Sequence, residues 1–469
     1  MIRNSLLGSP ALAAACLGFV IISLDATVAN VALGDLRVTL NADLSSLEWI
    51  LNAYTVTFAG LLLSAGALTD RLGARRGYLL GIALFLVASI LCGVAQTAAE
   101  LVFGRALQGA GAAAVVSASM ALIAVNFPDL KMRSKAVAVW AMCGGSATAA
   151  GPLAGGSILE LSGWRTIFLM NVPLLLLAYH FGRLTVHSPQ KGRSFDFLGQ
   201  VLGIVALGSL TAGLVKAGQN GFGNLEVVAA FAASAISSAL FIAVEKRRSE
   251  PMIPTSLFAS SRFTACCVAG FAVNFGFYGL LFALSLNFRL GGLSAFQTGL
   301  ALMPLTLCLS VANFVGALLI ARFGARLAIL CGLGVAGIGY LGLAGGVGLD
   351  GYGWTMPGML LIGAGSAITV TALSMEALSA VDASNAGIAG ATLTTARQVG
   401  GALGVSCFGI LLGGVGRSVE VDRLQLAFAT ATSVILVAFM LCSVALRTGD
   451  VSTAKPDGNS DGNPPPVPK

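Results

Sequence analysis

Charge is scarce in this chain. Only 10% of its 469 residues are Asp, Glu, Lys or Arg, against 56% hydrophobic ones. A soluble domain carries roughly 25% charged residues, so a water-facing surface of ordinary composition is excluded. Histidine is scarcer still, with His180 and His187 the only two. The nine cysteines all lie in apolar stretches, and none stands beside a histidine at metal-ligand spacing. They read as small core residues, and no metal site is expected. P-loop, HExxH and GxSxG patterns are missing, as is a long polar segment to receive a signal or hydrolyse ATP. An enzyme is therefore not expected, nor a cofactor. Alternating ten-residue strands do not recur, which argues against an outer-membrane barrel.

What the chain has is apolar runs, each near the 20 residues that cross a bilayer. Fourteen spans are expected, near 10–33, 47–68, 77–96, 101–125, 135–158, 166–184, 196–216, 224–244, 263–288, 298–320, 327–349, 353–378, 386–413 and 424–446. Arg3 precedes the first run as in a signal peptide, but that run continues to Leu33 and reads as a membrane helix. The fold class is an all-α polytopic membrane protein embedded in a lipid bilayer.

The net charge of +7 is a topology signal, and no nucleic-acid partner is expected from it. With the N-terminus inside, nineteen of the 27 Lys and Arg fall in inner segments and six in outer ones. The other two, Arg105 and Arg397, lie within spans. Both termini are then cytoplasmic, in a multi-pass protein of the cell (inner) membrane.

An internal echo suggests duplication. RLGAR (71–75) and RFGAR (322–326) both follow an even-numbered span on the inner side. The expected organisation is a six-helix bundle over 1–190, two inserted helices over 191–250, a second bundle over 251–447 and a disordered cytoplasmic tail over 448–469. Duplicated halves are a transporter signature, with the substrate site between them.

Three stretches carry candidate mechanism. In GALTDRLGARRG (66–77), Gly66 and Gly73 permit close approach and a tight turn. Asp70, Arg71, Arg75 and Arg76 cluster at that helix boundary. These residues read either as a positive-inside loop with a capping Asp or as a latch whose charges re-pair between states. The run RALQGAGAAA (105–114) combines an embedded Arg105 with a small-residue packing face. In GPLAGG (151–156), Gly151, Pro152, Gly155 and Gly156 either pack a neighbour closely or bend a helix at the pore.

Together with LDATVANVAL (24–33), these motifs resemble signatures of the major facilitator superfamily. More narrowly, they are similar to its fourteen-span drug:proton antiporters. WRTIFLMNVP (164–173), PMIPTSLF (251–258) and TARQVGGALGVS (395–406) fit the same family, so the likeness runs through nearly the whole chain in order. It implies two six-helix bundles plus two inserted helices, and efflux of lipophilic, often cationic, compounds driven by the proton gradient. It implies proton-coupling roles for Asp25 and Arg105. It makes Gly66, Asp70, Arg71, Gly73 and Arg75 a conformational latch, and Gly151, Pro152, Gly155 and Gly156 an antiporter bend. Two departures stand out. Ala321 occupies the second-half position equivalent to Asp70, and Asn287 stands where the ninth span of the family carries Gln.

The residues support the Asp25 assignment on their own terms. A charge at mid-membrane costs about 2.5–3.5 kcal/mol on insertion scales, so it is retained beside a partner or a watery cavity. Asp25 lies about 12 Å and Arg105 about 6 Å below the same membrane face at 1.5 Å per residue, within reach of an Arg side chain. Asn30, Asn52, Tyr54, Gln108, Asn274, Asn287 and Asn313 are candidate cavity contacts or helix–helix hydrogen bonds. Glu376, near an inner helix end, either faces water or pairs with Arg397 as a second charged site. The expected function is proton-coupled export of small lipophilic drugs by a monomer. The alternatives are a dedicated exporter of one self-made metabolite and, less favoured, a proton-coupled nutrient importer.

Overall fold

A computed structural model describes residues 8–187, 196–248, 251–346, 352–382, 385–413 and 420–447. The expected tail over 448–469 lies outside the described residues. The described chain folds into α1 (Pro10–Val31), α2 (Leu33–Thr39), α3 (Leu44–Leu72), α4 (Ala74–Val94), α5 (Ala98–Asn126), α6 (Leu130–Ser162), α7 (Trp164–Leu169) and α8 (Asn171–Arg183). These are followed by α9 (Phe197–Asn220), α10 (Leu225–Arg247), α11 (Ser261–Leu290), α12 (Ala295–Gly346), α13 (Tyr352–Ser379), α14 (Ala386–Leu412) and α15 (Val421–Ala445). Among the described residues no strand occurs.

Thirteen helices are long and apolar enough to cross a membrane, with α7 and α8 together making one of them. The expected count of fourteen is recovered inside α12. Its 52 residues would measure about 78 Å, more than twice the ~30 Å hydrocarbon core. The helix breaks at Gly324 (φ 83°, ψ 163°), so α12 makes two traverses. Gly73, between α3 and α4, has nearly the same backbone (φ 85°, ψ 146°). The two glycines are the centres of RLGAR and RFGAR. Each adopts a left-handed φ that a Cβ disfavours. The sequence echo is thus an echo of backbone geometry.

The fold is two six-helix bundles, α1–α8 and α11–α15, with α9 and α10 inserted between them in sequence. α9 lies along the seam where α3 meets α14. Its Gln200 donates to the Gly60 carbonyl (2.5 Å), and its Gln219 donates to Asp43, the N-cap of α3 (2.8 Å). Leu207 of α9 packs in one apolar cluster with Val56 and Ala59 of α3 and Ala402 of α14.

The bundles are tied at one end. Arg289, at the end of α11, donates to Asp35 of α2 (2.6 Å). Glu160 of α6 accepts from the Ser294 hydroxyl (2.7 Å) and the Phe296 amide (3.0 Å). Asn52 of α3 donates to Ser406 of α14 (2.9 Å). At this end Gly409 of α14 lies so close to Glu48 of α3 that a Cβ would collide with the carboxylate. Toward the other end no such close approach occurs at three glycines of the same helices. A Cβ added at Gly66 of α3, or at Gly387 or Gly390 of α14, would meet nothing within 4 Å.

Candidate functional site

Asp25 sits on α1 and is 2% exposed; Arg105 sits on α5 and is 1% exposed. The two form a direct ion pair through Arg105 Nη1 and Asp25 Oδ2. The other carboxylate oxygen accepts from Asn171 Nδ2 of α8 (2.9 Å) and Gln108 Nε2 of α5 (3.2 Å). Gln108 also donates to Ser89 of α4 (2.9 Å) and accepts from Arg105 (2.8 Å). Arg105 Nε donates to the Ile50 carbonyl of α3 (3.2 Å), and its guanidinium lies 4.4 Å from the Tyr54 ring centre. Side chains from α4, α5 and α8 therefore build the polar network around this one carboxylate of α1. Such satisfaction is what a buried charge requires, because an unpaired one costs several kcal/mol.

Helix packing explains why these groups converge. Gly104 of α5 approaches Cys92 of α4, Gly111 approaches Phe85, and Gly109 approaches the Tyr54 carbonyl of α3, each too closely for a Cβ. The small-residue face read from RALQGAGAAA is thus in contact with α3 and α4, and it carries Arg105 and Gln108 inward.

Arg105 reaches further than Asp25. Between the bundles lies a cavity of about 10 Å³, walled by Ala26, Asn30, Leu51, Tyr54, Thr55 and Arg105 on one side and Tyr278, Gly401 and Val405 on the other. The Asp25 side chain has no exposure at all and is not among those walls. In this conformation, contact between the cavity and the carboxylate runs through Arg105. A cavity of this size has room for about one water, so a drug-sized ligand requires the bundles to separate.

Of the seven candidate cavity contacts, Asn30 and Tyr54 line this cavity. Asn52 instead ties the bundles, and Gln108 belongs to the Asp25 network. Asn313 accepts from Thr371 within the second bundle (3.0 Å). Asn274 is buried on α11, and Asn287 lies in its last turn, both away from the cavity walls.

The expected pairing of Glu376 with Arg397 is not formed. Glu376 is 7% exposed rather than water-facing, and it pairs with Arg262 of α11 (2.7 Å to Nε). Arg262 precedes the first apolar residue of α11, close to the inner end of α13, whereas Arg397 lies three turns into α14. Arg397 Nε is buried with no partner.

The latch residues occupy the α3–α4 corner. Gly73 makes the turn, Asp70 and Arg75 are partly buried, and Arg71 is exposed. Arg75 donates to His187 Nδ1 (3.1 Å). The close approach expected at Gly66 is absent here. The α6 motif is a two-sided packing strip. A Cβ at Gly151 or Gly155 would strike Thr27 or Val28 of α1, and one at Gly156 would strike the Ala295 backbone of α12. Pro152 presents its carbonyl to Gly299 of α12. Thr27 and Val28 are the turn after Asp25, so α6 braces the charged site and the bundle seam together.

Sequence reasoning missed Ser89, Asn171 and Glu48. Asn171 stood inside the quoted WRTIFLMNVP stretch, where its polarity in an apolar setting was the available signal. Glu48 is 3% exposed, and its Oε2 has no partner.

Two bundles around a central cavity, with a buried charge pair beside it, define the architecture of a membrane transporter rather than an enzyme. The Major Facilitator Superfamily profile matches residues 15–405, and the chain belongs to that family. It is 35% identical over 402 residues to the methylenomycin A resistance protein of Bacillus subtilis, covering 84% of this chain and 86% of that one. It is 33% identical over 407 residues to the tetracenomycin C resistance and export protein of Streptomyces glaucescens, covering 86% and 76%. It is 32% identical over 401 residues to the methyl viologen resistance protein SmvA of Salmonella typhimurium, covering 84% and 80%. A crystal structure of a bacterial homologue of the human lysosomal transporter Spinster superposes with a TM-score of 0.66 at 15% identity, covering 93% of this chain and 96% of that one. That likeness is one of fold.

Proposed function

We propose that this transporter exports small lipophilic drugs or antibiotics in exchange for protons, by alternating access. The observation that carries this reading is the buried Asp25–Arg105 pair, one member of which reaches the cavity between the bundles. Protonation of Asp25 releases Arg105 from its ion pair, and the freed guanidinium changes what the cavity offers a ligand. Substrate arrival and proton binding are thereby linked through one side chain. The proton gradient is the energy source.

The distribution of Lys and Arg supports a cytoplasmic location for both termini in the cell membrane. The tied end of the bundles then faces outward. Residues 1–190 and 251–447 act as the moving halves, α9 and α10 flank them, and a monomer suffices because the cavity lies within one chain. Relatives named for single antibiotics support a narrow substrate range as the second reading, a dedicated exporter of one compound.

Transport in inverted membrane vesicles tests the coupling. Substrate added to wild-type vesicles should discharge a respiration-generated pH gradient. Asp25→Asn should bind substrate yet discharge nothing. Undiminished uphill export by Asp25→Asn would remove Asp25 from the coupling mechanism.

A further inference from the structure

Glu48 stands where the two bundles touch. It lies in the second turn of α3, is buried, and presses its carboxylate against Gly409 of α14. Leu51 and Thr55 follow one and two turns further along α3, and Val405 and Gly401 lie one and two turns back along α14. All four of those residues wall the cavity. Glu48 and Gly409 therefore form the next layer on its tied side, beside the Asn52–Ser406 bond. The carboxyl fits there because its opposite number is a glycine, whose missing Cβ would otherwise collide with it.

Among the described residues this carboxylate has no counter-ion, and its Oε2 has no hydrogen-bond partner. The charged group that acts on it is Asp43, the N-cap of α3, which has the same sign. On α14 the titratable neighbour is the thiol of Cys407. The cations of the surrounding helices are committed elsewhere. Lys216 of α9 pairs with Glu226, Arg105 of α5 with Asp25, and Arg289 of α11 with Asp35 of α2. Arg423 of α15 reaches Gly413, one turn beyond Gly409, but pairs with Glu420. Arg37 of α2 does not act on Glu48. An ionised carboxylate in this seam is uncompensated and costly, whereas a neutral carboxyl is not. Separation of the bundles wets the group and lets it ionise.

We propose that Glu48 is a proton-licensed gate, and that the tied end of the seam shuts only after this carboxylate has taken a proton from the water on that side. The inference rests on the reading of the bundles as halves that open and close around the cavity, and it adds a second proton-binding residue to Asp25. The two acids act differently. Asp25 is sealed within the first bundle and paired with Arg105, whereas Glu48 belongs to the surface where the halves part. Its proton is taken up and given back on one side, so it sets when the outer end closes and carries nothing across. An outer end that shuts only when a proton has arrived there prevents the empty carrier from returning uncoupled.

The test reads the width of the tied end against pH. Val38 of α2 and Val421 of α15 are exposed, belong to different bundles and take part in none of the ties. Spin labels on Val38→Cys and Val421→Cys, in a cysteine-free background in phosphatidylcholine nanodiscs, report the separation by pulsed electron resonance. The closed form binds the proton more tightly, so the ratio of short to long distances should rise as pH falls, by up to about tenfold per pH unit for one linked proton. Asp35 and Glu160 tie this end as ionised acceptors, so acid loosens their bonds, the opposite sign to that of Glu48. Glu48→Gln, which mimics the neutral carboxyl, should hold the short distance throughout. Glu48→Asp should keep the pH response, which guards against a packing defect in the Gln variant. A wild type that is indifferent to pH or opens in acid overturns the inference. So does a Gln variant that responds like the wild type or stays open, or an Asp variant that does not respond. If the labels do not respond while substrate discharges a pH gradient in inverted vesicles, the gate fails and proton-coupled export stands. If Glu48→Gln abolishes the response while Asp25→Asn exports normally, the Asp25 coupling role fails and the gate stands.

Discussion

At the scale of single residues, a carboxylate survives in an apolar helix only if its oxygens are occupied. Asp25 meets this with Arg105 on one oxygen and Asn171 and Gln108 on the other. A hydrogen bond to a charged group contributes about 1.5–3 kcal/mol. Asn171→Ala should lower thermal stability by roughly that amount while leaving the ion pair intact, as read by thermal unfolding in detergent. An unchanged unfolding temperature would mean that the Asn171 bond contributes nothing. Asp25 and Arg105 were legible in sequence because charges stand out in apolar runs. Ser89 and Asn171 were not, because short polar residues are common in membrane helices. Only packing tells which of them face a carboxylate. The false pairing of Glu376 with Arg397 has the same origin: opposite charges in neighbouring spans specify candidates, and depth and rotation choose among them.

At the scale of elements, the glycines decide where helices break and where they touch. Gly324 divides a 52-residue helix into two traverses, and Gly73 performs the matching turn in the first bundle. Both hold φ values that cost an L residue about 1–2 kcal/mol. Gly324→Ala should therefore lower stability by roughly that amount, whereas Gly342→Ala, in the open α-helical stretch beyond it, should be neutral or slightly stabilising. Thermal unfolding of the two variants side by side checks this. Equal effects would show that the left-handed conformation at Gly324 is unimportant. The RLGAR and RFGAR echo was readable because a turn needs specific residues at a fixed spacing. What GPLAGG touches was not readable, since a glycine records that something comes close without recording what. The structure supplies α1 on one face and α12 on the other.

At the scale of the whole molecule, the bundles meet at one end through Asp35–Arg289, Glu160–Ser294 and Asn52–Ser406. The alternating access proposed above requires these ties to break in each cycle. In a cysteine-free background, Glu160→Cys with Ser294→Cys should be joined readily by a short bifunctional thiol reagent. Cross-linking should abolish transport, and a cleavable reagent should permit its recovery on reduction. Full transport by the cross-linked protein would exclude opening at this end. Asn52 was a candidate helix–helix hydrogen bond, but the partners in all three ties were not anticipated, because each joins residues more than a hundred positions apart. Sequence by itself determined the membrane class, the approximate positions of the spans and the two unusual charges in the first bundle. Those follow from local properties: hydrophobic length, turn chemistry and the cost of burying charge. The tertiary structure decided which charges pair, which end of the seam is tied, and that Arg397 has no carboxylate partner among the described residues. Those depend on helix rotation and packing across distant parts of the chain, which no local pattern encodes.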